Sequence, residues 1–383
     1  MKVNHDIMVS VPLLMVPIPL SNSVLNVDCR QTDEAMPSRD AKSVGIRDVA
    51  RAAGVSTTTV SRVLAGSEKV TEKTRNQVLV VIQNLGYFPS GIARSLKSKS
   101  TALIGVLVSD IINPFSTAVV RGIEDAVQEN EISLILCNTD ENEEKMNRYL
   151  HLLLTKRVDG LILAPTGNAT PIVATARSKG IPIILIDRLA KGITLPFVGV
   201  DNVLAAERAV THLLDDGHRR IGVVTGLSNI STTVERVEGY RRALRNLGLQ
   251  VDPRLIHEGY GRTIGGEEAA QRHLAIRPRP TAIFVTNNLM TLGVLKALSK
   301  LGIRCPDEVS VIGFDDHEWA SMFSPPITVI AQPVYEIGRT AADFLVRAMS
   351  GERIPCERTL LETQLIIRGS CRPGGHPESQ SAA

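Results

Sequence analysis

The 383 residues exceed one ordinary domain, and 43% apolar with 22% charged content describes soluble folded domains, not a disordered or membrane-embedded chain. The five cysteines are odd in number, widely spaced and without a C-x-x-C, which excludes a disulfide framework, leaves no metal cluster and suits a reduced, cytoplasmic setting. Net charge is only +3, yet Lys42 to Ser100 alone carries +7 and the remainder −4, so positive potential is concentrated in one stretch, as a nucleic-acid binder needs.

Residues 1–43 do not fit the rest of the chain. Ile7 to Leu20 is apolar but broken by Pro12, Pro17 and Pro19, and it is too short to span a bilayer. Lys2 gives it the look of an export signal, but Asp6 sits beside it and no A-x-A site comes after it. The expectation is a disordered tail, or one translated only from an upstream start, with Met36 as the alternative beginning.

Ile46 to Leu64 reads I-R-D-V-A-R-A-A-G-V-S-T-T-T-V-S-R-V-L. Ile46, Val49, Ala50 and Ala53 recur at the spacing of one helix face, and Gly54 reaches the left-handed angles of a tight inter-helix turn. Ser56 is placed to cap a second helix whose inner face is Val60, Val63 and Leu64. That leaves Thr57, Thr58, Thr59, Ser61 and Arg62 outward, short hydroxyls and one guanidinium suited to base edges and phosphates in a major groove. A third helix, Glu72 to Leu85, opens on Thr71 and carries Val78, Leu79, Ile82 and Leu85 before Gly86 ends it.

The next segment, Tyr87-Phe88-Pro89-Ser90-Gly91-Ile92-Ala93-Arg94-Ser95-Leu96-Lys97, completes a pattern that resembles the lactose-repressor/galactose-repressor (LacI/GalR) family, whose heads end in a Y-x-P-N-x-x-A-R-S-L hinge. Here Ser90 stands where asparagine is usual. The resemblance implies a hinge helix at 89–100 that folds on DNA. It makes Leu96 the wedge that pries open a base step, places Arg94 and Lys97 at the minor groove and backbone, and adds Tyr87, Ser90 and Ala93 to the DNA-binding set.

From Thr101 apolar runs alternate with helical patterns. Strands are predicted at Leu103–Val108, Ser133–Cys137, Gly160–Ala164, Ile181–Ile186, Ile221–Thr225, Leu255–Glu258, Thr281–Val285 and Ser310–Gly313. Helices lie between them, so two doubly wound parallel α/β halves are implied, with ligands in the crevice at the strand carboxyl ends. The resemblance continues through R-V-D-G-L-I-L (157–163), I-D-R (186–188), G-H-R-R-I-G-V-V (217–224), V-S-V-I-G-F-D-D (309–316) and P-P-I-T-V-I-A-Q-P (325–333). It implies a periplasmic-binding-protein-like sensor over 101–372 whose chain crosses between subdomains near Asn202, Asp316 and Gly351. The expected organisation is a head at 44–88, subdomain 1 at 101–202 and 317–350, subdomain 2 at 203–316 and 351–372, and a disordered tail at 373–383.

Asp187 and Arg188 lie at a strand end, as crevice residues should. Further effector candidates come from the resemblance: Asn113 and Phe115 after the first strand, Arg236 in R-x-x-G-[YFW], Asn288 where many relatives have aspartate, and Asp315 in G-F-D-D; Arg262 flanks Gly261, and Trp319 is placed either to stack on a ring from the Asp316 crossover or to pack in the interior. Gly261 falls near a position that is aromatic in several sugar-responsive relatives. With Asn288 lacking a negative charge, this suggests an anionic effector such as a sugar acid or sugar phosphate.

The implied protein is a transcriptional regulator, and most often a repressor. It would bind a near-palindromic operator as a homodimer under control of a carbohydrate-like effector, with no cofactor and no membrane. The competing class is a solute-binding protein for sugar uptake, which would not carry residues 46–97. Catalytic signatures such as G-x-x-x-x-G-K-[ST] or G-x-S-x-G are absent from the sequence, so an enzyme is not expected.

Overall fold

In the computed structural model, the described residues are 44–87, 100–190 and 192–372, with Ile172 described by its backbone alone. The chain divides between Pro89 and Ser90 into two compact units.

The first unit is a three-helix head. Helix α1 (Ile46–Ala52) and helix α2 (Thr57–Leu64) are joined by a turn in which Gly54 takes φ +61°. The Ser56 hydroxyl accepts the Thr59 amide at 3.1 Å, satisfying a donor that the first turn of α2 would leave free. Helix α3 (Glu72–Asn84) is capped by Thr71. Val49, Ala50, Ala53, Val60, Val63 and Val78 form the core, and Gln77 donates to the Ala53 carbonyl at 3.0 Å, tying α3 to the end of α1. One expectation for α3 is corrected. Leu79 and Leu85 are exposed, and the inner stripe is Val78, Val81 and Ile82, the i, i+3, i+4 set that faces the other two helices.

The second unit holds two six-stranded sheets. The first is built from β1 (Leu103–Val108), β2 (Ser133–Asn138), β3 (Gly160–Leu163), β4 (Ile183–Ile186), β5 (Phe197–Val200) and β11 (Arg358–Leu361), in the order β11-β5-β4-β3-β1-β2, all parallel. The second uses β6 (Ile221–Thr225), β7 (Ile256–Glu258), β8 (Ala282–Val285), β9 (Ser310–Phe314), β10 (Thr328–Ala331) and β12 (Gln364–Ile366), in the order β12-β10-β9-β8-β6-β7, with only β12 antiparallel.

Helices cover both faces of each sheet, which is why the strands are buried apolar runs instead of alternating patterns. On the first sheet α4 (Pro114–Gln128) and α12 (Val334–Met349) share a core with Ile104, Val106, Ile162 and Ile184, and α5 (Glu143–Thr155) and α6 (Thr170–Ser178) pack on the other side. On the second sheet α7 (Asn202–Asp215) and α8 (Ser231–Asn246) oppose α9 (Thr263–Ala275) and α10 (Asn288–Lys300). A short helix α11 (Glu318–Met322) comes after β9.

The chain leaves the first sheet after β5 and enters α7 at Asn202. The other two crossings lie later than expected. Strand β10 is still in the second sheet, so the return comes at Gln332–Pro333 and not near Asp316. Strand β11 extends the first sheet, so the last crossing falls at 362–363 and not near Gly351. Short strands whose hydrogen bonds are made to distant segments set these points.

Candidate functional site

Two surfaces carry the predicted site residues. On the head, α2 presents Thr57, Thr58 and Arg62 exposed, with the two threonines on its first turn, where free amides and the helix dipole favour anions. Thr59 and Ser61 are half-buried, and the Thr59 hydroxyl is paired with that of Ser56 at 2.9 Å. Tyr87 packs against the head core, so the structure gives it a supporting position. The hinge candidates Ser90, Ala93, Arg94, Leu96 and Lys97 lie outside the described residues.

In the second unit a cleft of about 320 Å³ opens between the two sheets at the carboxyl ends of their strands. Strand β1 delivers Ser109, Asp110, Asn113 and Phe115, β2 delivers Asp140 and Glu141, and β4 delivers Asp187 and Arg188. The second sheet contributes Tyr260 and Arg262 after β7, Asp315 after β9 and Gln332 after β10, with Arg236 reaching in from α8. Asp140, Glu141, Asp187, Tyr260 and Asp315 all have positive φ, between +52° and +73°. That conformation is costly for a side chain other than glycine, so the surrounding structure must hold these five cleft residues in place.

Electrostatics organise the cleft floor. Glu141 receives a bidentate pair from Arg188 at 2.6 and 2.7 Å. Burial pushes the Glu141 carboxyl up, but the charge and hydrogen bonds of Arg188 outweigh it and hold the group below its usual range. Asp187, 3.3 Å from Nε of the same arginine, goes the other way. Its desolvation outweighs Arg188 and Arg236, and Asp315 and Glu141 add repulsion, so its pKa is raised. Arg236 is 6% exposed; its Nε donates to Asn202 at 2.8 Å, its Nη1 to the Thr286 carbonyl at 2.6 Å, and its guanidinium lies 3.6 Å from the Phe314 ring centroid. Asp315 accepts from Gln332 at 2.6 Å.

Of the expected effector residues, Asn113, Phe115, Asp187, Arg188, Arg236, Arg262 and Asp315 converge on this cleft. Two do not. Asn288 is 1% exposed and bridges to Asn113 and His317 instead of facing the cavity. Trp319 packs beside Leu295, Ala320, Ile327 and Val329, because its helix turns it toward β10 and α10. Missed from sequence were Asp110, Asp140, Glu141, Tyr260 and Gln332. Their only common signal is a position just past a strand.

Known proteins match both units of the chain. Residues 45–90 match bacterial regulatory proteins of the lacI family, and residues 210–371 match a periplasmic binding protein-like domain. The chain is 36% identical to the HTH-type transcriptional repressor PurR of Photobacterium profundum over 85% of its own length and 98% of that protein. It is 37% identical to the ribose operon repressor of Escherichia coli (strain K12) over 85% and 99%. A crystal structure of the lac repressor dimer bound to operator and the anti-inducer ONPF superposes with TM-score 0.78 at 28% identity, covering 86% of this chain and all of that one. With a helix-turn-helix head, a two-sheet sensor and relatives spanned over nearly their whole length, the chain belongs to the lacI family of bacterial regulatory proteins, DNA-binding transcriptional repressors under small-molecule control and not enzymes.

Proposed function

We propose that the effector is a neutral, polyhydroxylated molecule of about monosaccharide size, bound in the cleft by Asn113, Phe115, Asp187, Arg188, Arg236, Asp315 and Gln332. The observation that carries this reading is charge balance. Asp110, Asp140, Glu141, Asp187 and Asp315 face Arg188, Arg236 and Arg262; Asp140 is paired with Lys145 and Glu141 with Arg188, which leaves Asp110, Asp187 and Asp315 against Arg236 and Arg262, so acidic groups outnumber basic ones. Arg188 is already neutralised by Glu141, and Arg236 gives two nitrogens to Asn202 and Thr286. An anion would meet surplus carboxylate, whereas a hydroxyl can donate to a carboxylate and accept from a guanidinium at once. This replaces the anionic effector suggested by an uncharged Asn288, which does not line the cavity. The ribose operon repressor among the relatives is in keeping with a neutral sugar.

The DNA-reading surface is α2 with Thr57, Thr58 and Arg62, presented twice by a homodimer to a near-palindromic operator. Effector binding selects one closure of the cleft, and with it one operator affinity.

The test is isothermal titration of the full chain with D-ribose, other neutral aldoses, the matching aldonic acids and ribose 5-phosphate, each repeated on operator-bound protein. One neutral sugar should bind and alter operator affinity, with its acid and phosphate at least about tenfold weaker, the factor that about 1.4 kcal/mol of unfavourable charge produces. Tighter binding of a phosphate or acid than of its parent sugar would sink the neutral assignment.

A further inference from the structure

One chain of hydrogen bonds crosses the cleft through side chains of the protein itself. It begins at the N-terminus of α4, where the Phe115 amide donates to Asn113 Oδ1 at 3.0 Å. That oxygen, in subdomain 1, also accepts from Asn288 Nδ2 of subdomain 2 at 2.8 Å. Asn288 Nδ2 lies 2.5 Å from His317 Nε2, and Asn288 Oδ1 accepts the Leu289 amide at 2.6 Å.

Backbone donors at both ends fix the polarity. Because Asn113 Oδ1 caps an amide and Asn288 Oδ1 takes another, the buried Asn288 must present its NH₂ to both remaining partners. His317 Nε2 must then offer a lone pair, which requires a neutral ring with its proton on Nδ1. Protonation puts a second donor against the amide. Flipping Asn288 to suit it would set two oxygens against each other at Asn113, and leaving it unflipped would press one of its N–H groups against another donor, so the cross-cleft bond is weakened either way.

We infer that Asn288 and His317 are positioning residues, a clasp that helps to hold the cleft closed, beside the bond from the Leu189 amide to the Ser231 hydroxyl, and does so only while His317 is uncharged. It goes beyond the effector reading and does not depend on it. The ionisable residues on the segments that carry the clasp are mostly acidic. Asp315 and Asp316 lie on its own loop, the latter held by Arg368 at 2.8 Å, Glu318 comes next on α11, and the loop bearing Asn113 contributes Asp110. Helix α10 carries no ionisable side chain before Lys296, and the Trp319 ring lies 6.4 Å from that of His317 between centroids.

Hydrogen exchange of the ligand-free full chain, corrected for intrinsic rates, tests this at pH 5.5 and pH 8. In the wild type, protection of segments 113–116 and 287–290 should fall about tenfold at the lower pH, the effect of losing one hydrogen bond, while strand 221–225 stays protected. Asn288→Ala should lose that protection at both pH values, in these segments alone. His317→Gln, whose carbonyl accepts but does not titrate, should keep it at both. A wild type indifferent to pH, a His317→Gln variant that still responds, or a loss spread across the whole chain in Asn288→Ala would each overturn the clasp.

Discussion

Asp187 is a single cleft side chain whose surroundings work against its charge. Burial among Asp315 and Glu141 raises its pKa in spite of Arg188 and Arg236, so in a window above the ordinary carboxylate value the folded protein holds a proton that the unfolded chain has released. The contribution to stability is therefore fully present at low pH and is lost as pH rises through the raised value. Asp187→Asn should raise the melting temperature of the ligand-free protein at pH 8, with the difference shrinking toward pH 5. It should also weaken effector binding by about 10- to 100-fold through loss of a charged acceptor. A melting temperature lowered at pH 8 would show that Arg188 dominates this carboxylate after all. The opposite linkage holds for Glu141, whose lowered pKa stabilises above the normal carboxylate range and is lost on acidification.

At the scale of elements, helix pairs approach through glycine. A Cβ on Gly338 of α12 would stand 2.0 Å from the Val119 carbonyl of α4, and one on Gly122 would stand 2.1 Å from the Tyr335 carbonyl, so the two helices meet backbone to backbone. Neither carbonyl can swing aside as a side chain would. Gly338→Ala should cost about 1–3 kcal/mol, the usual penalty of overpacking, read as a lower midpoint in urea with unchanged slope. An unaltered midpoint would mean that α4 and α12 slide freely. Elements of this kind were legible where period and length agree: β1 and β6 span the residues expected. Strands β5, β10, β11 and β12 were not predicted. With three or four residues each, they carry no period that distinguishes them from loop, and pairing with neighbouring strands, for β11 one about 160 residues earlier, stabilises them. Leu79 was misplaced because a helix with apolar residues on several sides leaves its inner face to be chosen by packing.

For the whole molecule the binding of operator and effector must be coupled reciprocally. If a sugar lowers operator affinity by some factor, saturating operator must lower sugar affinity by the same factor, typically about 5- to 150-fold. Fluorescence anisotropy of labelled operator and titration calorimetry of the sugar, run in one buffer, give the two factors independently. Factors that differ beyond error would mean that a third state or an assembly change intervenes. Both should be measured at several salt concentrations, since the basic residues of Lys42 to Ser100 make operator binding steeply salt-dependent.

The helix-turn-helix head and the alternation of strand and helix were determined by the sequence alone, because caps, turns and periodicity act between near neighbours. The motifs likewise brought Asn113, Asp187, Arg188, Arg236 and Asp315 to one cleft. Tertiary structure decided what depends on distant partners. It set which sheet takes β10 and β11 and where the chain crosses. It placed Glu141 against Arg188, making the cleft acidic on balance. It also turned Asn288 away from the cavity, where Asn113, 175 residues earlier, supplies the acceptor that its amide needs.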